Sequence, residues 1–585
     1  MSRPSFHRLA AATSIAVGLL APTAPRAAEP PSIAVNQVGF LPGAAKWAAV
    51  PVPAGSTPAQ RFQVVDAVTG APAFTGALGA PGTWAPARAT VQLADFSALS
   101  APGQYRVHVD GLADSPRFTV APEAYAALNA ASLKAFYFNR AGTALLPEHA
   151  GAYARPAGHV DLRVRVHASA AGPGRPEGSE ISSPKGWYDA GDYNQYIVNS
   201  GISTYTLLAA YEHFPTFFQR QTLNIPESGN GLPDVLDEAL WNLDWLLTMQ
   251  DPQDGGVYHK LTNLGFDGMV MPHEATSPRY VVQKSTAAAL DFAAVMATAS
   301  RVFAGFEGQR PGLAVRMRSA ALAAWRWAQA HPAEVYRQPA DVKTGDYGDE
   351  HLADEFAWAA AELYITTGDD AYYRALNPAQ LPNGVPAWGD VGPLAWVSLA
   401  HHRARLTPLA DQRLIAERIN TLATDLAARW QASAYRVGMG EGDFVWGSNS
   451  VALNQALMLI QGYRLSGNRV QLDAAQALLD DVLGRNPTGR SMVTGFGSAP
   501  PLHPHHRPSE ADGVAAPVPG FLVGGPNPGQ QDKAGCPVAY PSALPALAYL
   551  DHACSYASNE VAINWNAPLA YVAAALQVLT PATSR

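Results

Sequence analysis

The chain has 585 residues, roughly four times a typical domain of ~150, which excludes one small module and favours a large body with an accessory domain. Hydrophobic residues make up 48% and charged residues 15%, enough to bury a sizeable core and to exclude wholesale disorder. Lys and Arg number 40 against 48 Asp and Glu, a formal charge of -8 without the basic blocks that neutralise phosphates, which excludes nucleic acid as a partner.

Taken in chain order, Arg3, His7 and Arg8 precede an apolar run from Leu9 to about Ala21, and small residues and prolines follow to Ala28. This pattern predicts a secretory signal peptide over residues 1–28 and a secreted or periplasmic protein, with an uncleaved anchor as the alternative. No other stretch has the ~18 uninterrupted apolar residues of a transmembrane helix, so no membrane span is expected in the mature protein. Two cysteines, Cys536 and Cys554, form either one bridge in an oxidising compartment or two buried thiols.

From Ile33 to about Val120, short strand-like runs alternate with turn residues: Lys46 to Val50, Arg61 to Asp66, Ala89 to Phe96, Gln104 to Asp110 and Arg117 to Val120. They predict a small all-β sandwich over residues 31–121. It carries no clustered carboxylates, so it reads as a packing or spacing module. Beyond Pro122, apolar residues recur three and four apart, as at Leu236, Leu240, Leu243 and Leu247. Helices are expected to begin near Ala124, Asn194, Pro233, Thr286, Leu313, Leu352, Val391, Ala410, Asn449, Gln471, Pro541 and Asn564. So many helices without strand alternation favour a mainly α fold, a helical barrel over residues 123–580.

Polar groups concentrate in three loops. In Gly186-Trp187-Tyr188-Asp189-Ala190-Gly191-Asp192-Tyr193-Asn194, two carboxylates precede an expected helix, whose free N–H groups would keep them charged as a general base requires. A pair of capping and turn aspartates is the plain alternative. In His503-Pro504-His505-His506-Arg507, the imidazoles lack the i, i+4 spacing of a zinc site and sit beside a guanidinium, so hydrogen bonding to a polyhydroxyl ligand suits them better than a metal. Glu560 precedes Val561, Ala562, Ile563 and Trp565, an apolar setting in which a carboxyl keeps its proton as a general acid must. A base, an acid and sugar-type donors together form the division of labour of glycoside hydrolysis.

At these residues the chain resembles glycoside hydrolase family 9, the cellulase family, in its subgroup with an N-terminal immunoglobulin-like domain. The DAGD motif stands as Asp189-Ala190-Gly191-Asp192, the histidine motif matches at Ser491, Val493, Thr494, Gly497, His505 and Arg507, and the C-terminal motif matches at Tyr549, Asp551, Tyr556, Glu560, Ala562, Asn566 and Ala567. Ala499 departs from the pattern, which usually has a polar residue there. The resemblance implies an (α/α)6 catalytic barrel and an inverting hydrolase of β-1,4-glucans, an endoglucanase. It implies Asp192 as the base, Asp189 as its partner on the water, and Glu560 as the acid, with His505 and Asp551 in the same machinery. Arg507, Tyr556, Trp187 and His506 would meet the substrate. It further implies structural calcium held by Thr344, Gly345, Asp349, Glu350 and Asp390; no zinc is expected, because His149 to His167 contains no Cys. An exo-acting β-1,4-glucosidase or exo-β-glucosaminidase on short oligosaccharides stays open, and a silent carbohydrate-binding protein is the reading of another class.

Overall fold

In Arg61–Asp66 every second side chain is buried, Phe62 and Val64, and this two-residue period makes the segment a half-buried strand. The computed structural model describes residues 32–582, so the expected signal peptide lies outside the described residues. One sheet of the N-terminal part joins Gly39–Phe40, Phe118–Val120, Gly103–His108, Arg61–Asp66 and Pro72–Ala77; the facing sheet joins Trp47–Pro51, Ala89–Asp95 and Gly82–Trp84. Between them Phe40, Phe96 and Phe118 meet edge-on and tilted at 5.3 to 5.5 Å, so the sandwich has its own aromatic core. Strands Pro72–Ala77, Gly82–Trp84 and Gly39–Phe40 go beyond the sequence expectation; Pro and Gly at their starts mask their period.

The helices close into two concentric rings. Ile197–His213, Thr286–Phe303, Ala353–Thr367, Gly392–His402, Ser448–Ser466 and Ile563–Leu579 contact one another in that order and back to the first, forming the inner ring. Each packs on an outer helix: Ala126–Phe138, Asp234–Thr248, Leu313–Ala330, Asp370–Leu376, Gln412–Ala432 and Arg469–Val482. Inner helices are apolar on all sides because both faces are covered, and Thr286–Phe303 is buried nearly throughout. That helix is long and apolar enough to cross a membrane by composition alone, yet here it lies inside the barrel. One expectation fails: no α-helix follows Pro541, where only a 3-10 turn at Pro545–Leu547 forms between prolines. The twelfth helix is instead Asp370–Leu376, too short for its period to register.

Sandwich and barrel share a polar and aromatic seam. Trp47 packs on Trp430 and Trp84 on Tyr435, with ring centroids 5.5 and 5.1 Å apart. The Gln37 amide donates to the Gly489 carbonyl at 2.7 Å, and its oxygen accepts from Ser498 N, Ser498 Oγ and Ala499 N at 2.9 to 3.0 Å. The sandwich thus braces the loop that leads to the histidines.

Candidate active site

A cavity of about 960 Å³ lies at the N-terminal ends of the inner helices, lined by Asp189, Asp192, His505, Arg507, Tyr556 and Glu560 among others. The three loops singled out in the sequence therefore converge. Their meeting is fixed by backbone: Ile563 N donates to the Asp189 carbonyl at 2.8 Å, and Arg507 N donates to the Gly191 carbonyl at 3.2 Å. A Cβ on Gly191 would stand 2.2 Å from the His505 carbonyl oxygen, so only glycine allows the histidine loop this close.

Asp189 is buried, and its carboxyl accepts from Asn199 Nδ2 at 3.0 and 3.1 Å and from the Tyr347 hydroxyl at 3.0 Å. Burial first, and then the charge of Asp192, push it up to about 8. The expectation that a helix N-terminus keeps this carboxyl ionised is corrected: the helix begins only at Ile197, and desolvation dominates. On Asp192, Asn194 N, Asn194 Nδ2 and the Tyr196 hydroxyl all donate to Oδ2, leaving Oδ1 without a protein donor among the described residues. Glu560 is raised well above the ordinary carboxyl range by burial, then by Asp192 and Asp189; Gly191 N reaches its Oε1 at 3.4 Å.

His505 donates Nδ1–H to the Ala553 carbonyl at 2.6 Å, so Nε2 is the acceptor. Burial lowers its pKa, which favours that neutral form. Arg507 donates from Nη1 to the Gly191 carbonyl at 2.7 Å and from Nε to the Asp267 carbonyl at 3.0 Å, while its guanidinium lies over Phe266. Tyr556 is 37% exposed, and its ring stands 5.4 Å from Trp446. The bridge between Cys536 and Cys554 is formed, two residues before Tyr556.

Three assignments change. Trp187 is buried, packs on Phe136 and donates its indole N–H to Glu238 at 2.8 Å, so it underlies the DAGD loop and does not face the cavity. His506 is likewise buried, bonded to Ser509 Oγ at 2.8 Å, and pushed down to about 3 by burial. Asp551 accepts from Leu502 N, His503 N and Arg490, which makes it the clamp of the histidine loop and not a group of the cavity. Sequence reasoning missed Asn199, Tyr347 and Tyr196 around the carboxylates, and the walls Phe266, Trp388 and Trp446; no local pattern marks them.

The expected calcium loop divides. The ammonium of Lys260 takes the Thr344 hydroxyl at 3.1 Å and the Gly345 carbonyl at 2.5 Å, and a second cation has no place there. Glu350 is exposed and pairs with Arg337. Asp349 and Asp390, by contrast, lie near Asp354, which accepts from Val391 N at 2.8 Å; burial first, and then the neighbouring acids, raise Asp349 and Asp390. Behind them Asp291 has both carboxylate oxygens buried and unpartnered, as is one oxygen of Glu355; burial raises both, joined at Asp291 by Asp354 and Asp349 and at Glu355 by Asp291. No Lys or Arg is among the groups that perturb these acids, so the donor set suits a hard divalent cation. Among the described residues, no three His, Cys, Asp or Glu side chains converge closely enough to ligate an ion by themselves.

With this geometry in view, the comparisons agree. The profile of glycosyl hydrolase family 9 matches residues 125–573, and that of the cellulase N-terminal ig-like domain matches residues 28–114. A xyloglucan-specific endo-β-1,4-glucanase of Bacteroides ovatus is 44% identical over 569 residues, 94% of each chain. Endoglucanase D of Acetivibrio thermocellus is 32% identical, over 93% of this chain and 83% of its own. Among solved structures, a metagenome-derived family 9 endoglucanase is similar with TM-score 0.86 and 35% identity, covering 94% of this chain and 99% of that one.

Proposed function

Since the chain belongs to glycosyl hydrolase family 9, we propose that it cuts β-1,4-glucan chains internally, with inversion, using the residues that line the cavity. The observation that carries this reading is that Glu560 and the Asp189–Asp192 pair line one cavity, with the Glu560 carboxyl raised well above its ordinary range by burial and then by the pair. Glu560 gives its proton to the glycosidic oxygen as the bond breaks. Asp192, with Oδ1 turned away from all its own donors, takes a proton from the attacking water, and Asp189 holds that water. His505 Nε2 accepts from a sugar hydroxyl, Arg507 and Tyr556 border the sugar, and Trp388, Trp446 and Trp565 offer flat ring faces to its apolar sides. The name of the Bacteroides ovatus relative supports including xylosylated glucan among the substrates.

Calcium belongs to the same reading, held by Asp349 and Asp390 with backbone carbonyls, where it would tie the loop before helix Ala353–Thr367 to that before Gly392–His402. Export belongs to it too, supported by the apolar N-terminal run and by a disulfide that an oxidising compartment maintains. The test of endo action compares viscosity with reducing ends on two soluble substrates, carboxymethyl-cellulose and xyloglucan. Viscosity falling well ahead of reducing-end release supports it; release of single units at unchanged viscosity overturns it.

A further inference from the structure

Lys260 is wholly buried on the short strand Lys260–Thr262, directly opposite Tyr196 in the register. Its Nζ has three acceptors, Gln338 Oε1 at 2.9 Å, Thr344 Oγ1 at 3.1 Å and the Gly345 carbonyl at 2.5 Å, which match the three donors of an ammonium. The rings of Tyr196 and Tyr336 face it at 5.4 and 5.6 Å. Burying a cation is costly unless its partners compensate, and burial does draw this lysine down to about 7 while Asp346 and Asp192 pull it back. His259 is the remaining titratable neighbour.

Two hydrogen-bonded chains lead from this ammonium. In the first, Lys260 holds Gly345, whose N–H donates to the Tyr196 hydroxyl at 3.1 Å, and that hydroxyl donates to Asp192 Oδ2 at 3.4 Å. In the second, Lys260 donates to Thr344 Oγ1, which meets Thr262 Oγ1 at 2.6 Å; Thr262 donates to Asn194 Oδ1 at 2.9 Å, and Asn194 Nδ2 donates to Asp192 Oδ2. The lysine can only donate, so Thr344 Oγ1 accepts from it; either threonine can donate in the 2.6 Å contact, and Thr262 shares its one proton between Asn194 Oδ1 and the Asn263 carbonyl at 2.8 Å. Both chains end on the same oxygen.

We infer that Lys260 is a positioning residue for Asp192, fixing through these two chains which carboxylate oxygen is tied down and which is presented to water. The inference rests on Asp192 as the base. Mutation of a merely structural lysine in the cavity wall would disturb sugar binding along with turnover. A positioning lysine affects turnover alone, because a displacement of about 1 Å at the reacting atoms costs on the order of 100-fold in rate.

The experiment measures kcat and KM on a cello-oligosaccharide for Lys260→Met, Thr262→Val, the double variant and Asp192→Ala, with melting temperatures for each. Lys260→Met keeps the stem and loses the donors; its kcat should fall at least ~30-fold with KM within about threefold. Thr262→Val interrupts only the second chain and should lower kcat about three- to tenfold, and the double variant should be no slower than Lys260→Met. A kcat within twofold of wild type for Lys260→Met, a KM that rises as far as kcat falls, or losses that multiply in the double variant would each overturn the inference. Should Lys260→Met not fold, Thr262→Val with unchanged kcat overturns it alone. If Asp192→Ala keeps its activity, the base assignment is what fails.

Discussion

His505 and Glu560 run side by side as a parallel bridge, with the His505 N–H donating to the Asn559 carbonyl at 2.9 Å. The acid and the histidine loop are therefore one rigid piece, clamped again by Asp551, which accepts from His503 N at 3.0 Å and from Asn559 Nδ2 at 3.3 Å. Positioning on backbone in this way holds the acid's carboxyl where burial and two neighbouring carboxylates act on it together.

Glu560→Gln keeps the shape and removes the transferable proton. On an unactivated glucan kcat should fall at least ~100-fold, and much less on an aryl glycoside whose leaving group needs no proton. Because burial, and then Asp192 and Asp189, raise the Glu560 carboxyl, its acid form persists above the ordinary carboxyl range, and activity should decline as pH climbs through that raised value. Wild-type-like turnover of unactivated glucan by the Gln variant would remove Glu560 from the role of acid.

Asp189 and Asp192 should respond differently to amidation. With its pKa near 8, Asp189 carries a proton at neutral pH, so Asp189→Asn replaces a neutral group by a neutral group. Asp192→Asn should lose at least about tenfold more kcat than Asp189→Asn, in line with general-base contributions. Proton NMR of the first wild-type products should show the α-anomer. Equal losses in the two variants would show that the pair does not divide its labour this way, and a β-anomer appearing first would exclude inversion.

Calcium should act on stability before rate. A chelator should lower the melting temperature, added Ca²⁺ should restore it more than Mg²⁺, and Asp390→Asn should abolish the response. A melting temperature indifferent to both chelator and calcium would remove the ion from this cluster.

Acid should loosen the barrel at the end opposite the cavity. His213 and His401 stack 4.3 Å apart there beside Arg464, and burial first, then neighbouring cationic groups, hold His213 well below its ordinary value and His401 down to about 3. The folded protein keeps these rings neutral, whereas the unfolded chain takes up protons below about pH 6.5. The stability these rings contribute is then complete above about pH 6.5 and is lost as pH falls from there, toward about 3 for His401. Buried acids with raised pKa values act in the opposite sense over the same range, so the histidine contribution is read as a difference: between pH 7 and 4 the melting temperature of His213→Gln should fall less, or rise more, than that of the wild type, and parallel profiles would refute the account.

Much of this was legible because chemistry gathers in short loops, where Asp189, Asp192, His505 and Glu560 stand out from their surroundings. The cavity walls were not, since Trp388, Trp446 and Trp565 read in sequence like any core aromatic; only the fold decides which face a void. The calcium loop shows a register problem. Between residues 349 and 355 an Asp-Glu pair occurs twice, at Asp349–Glu350 and Asp354–Glu355, and nothing local distinguishes the pair whose Glu points to solvent from the pair whose Glu is buried against Asp291. Lys260 was silent for a similar reason: a lysine in an ordinary-looking strand acquires meaning only from the loop folded over it.

Modules that recombination trades freely meet their neighbours through contacts that accept a stranger. Gln37 is no such joint, because its one amide satisfies Gly489, Ser498 and Ala499, the stretch that delivers His505 to the cavity. A barrel grafted behind a foreign sandwich would inherit a histidine loop with its brace missing.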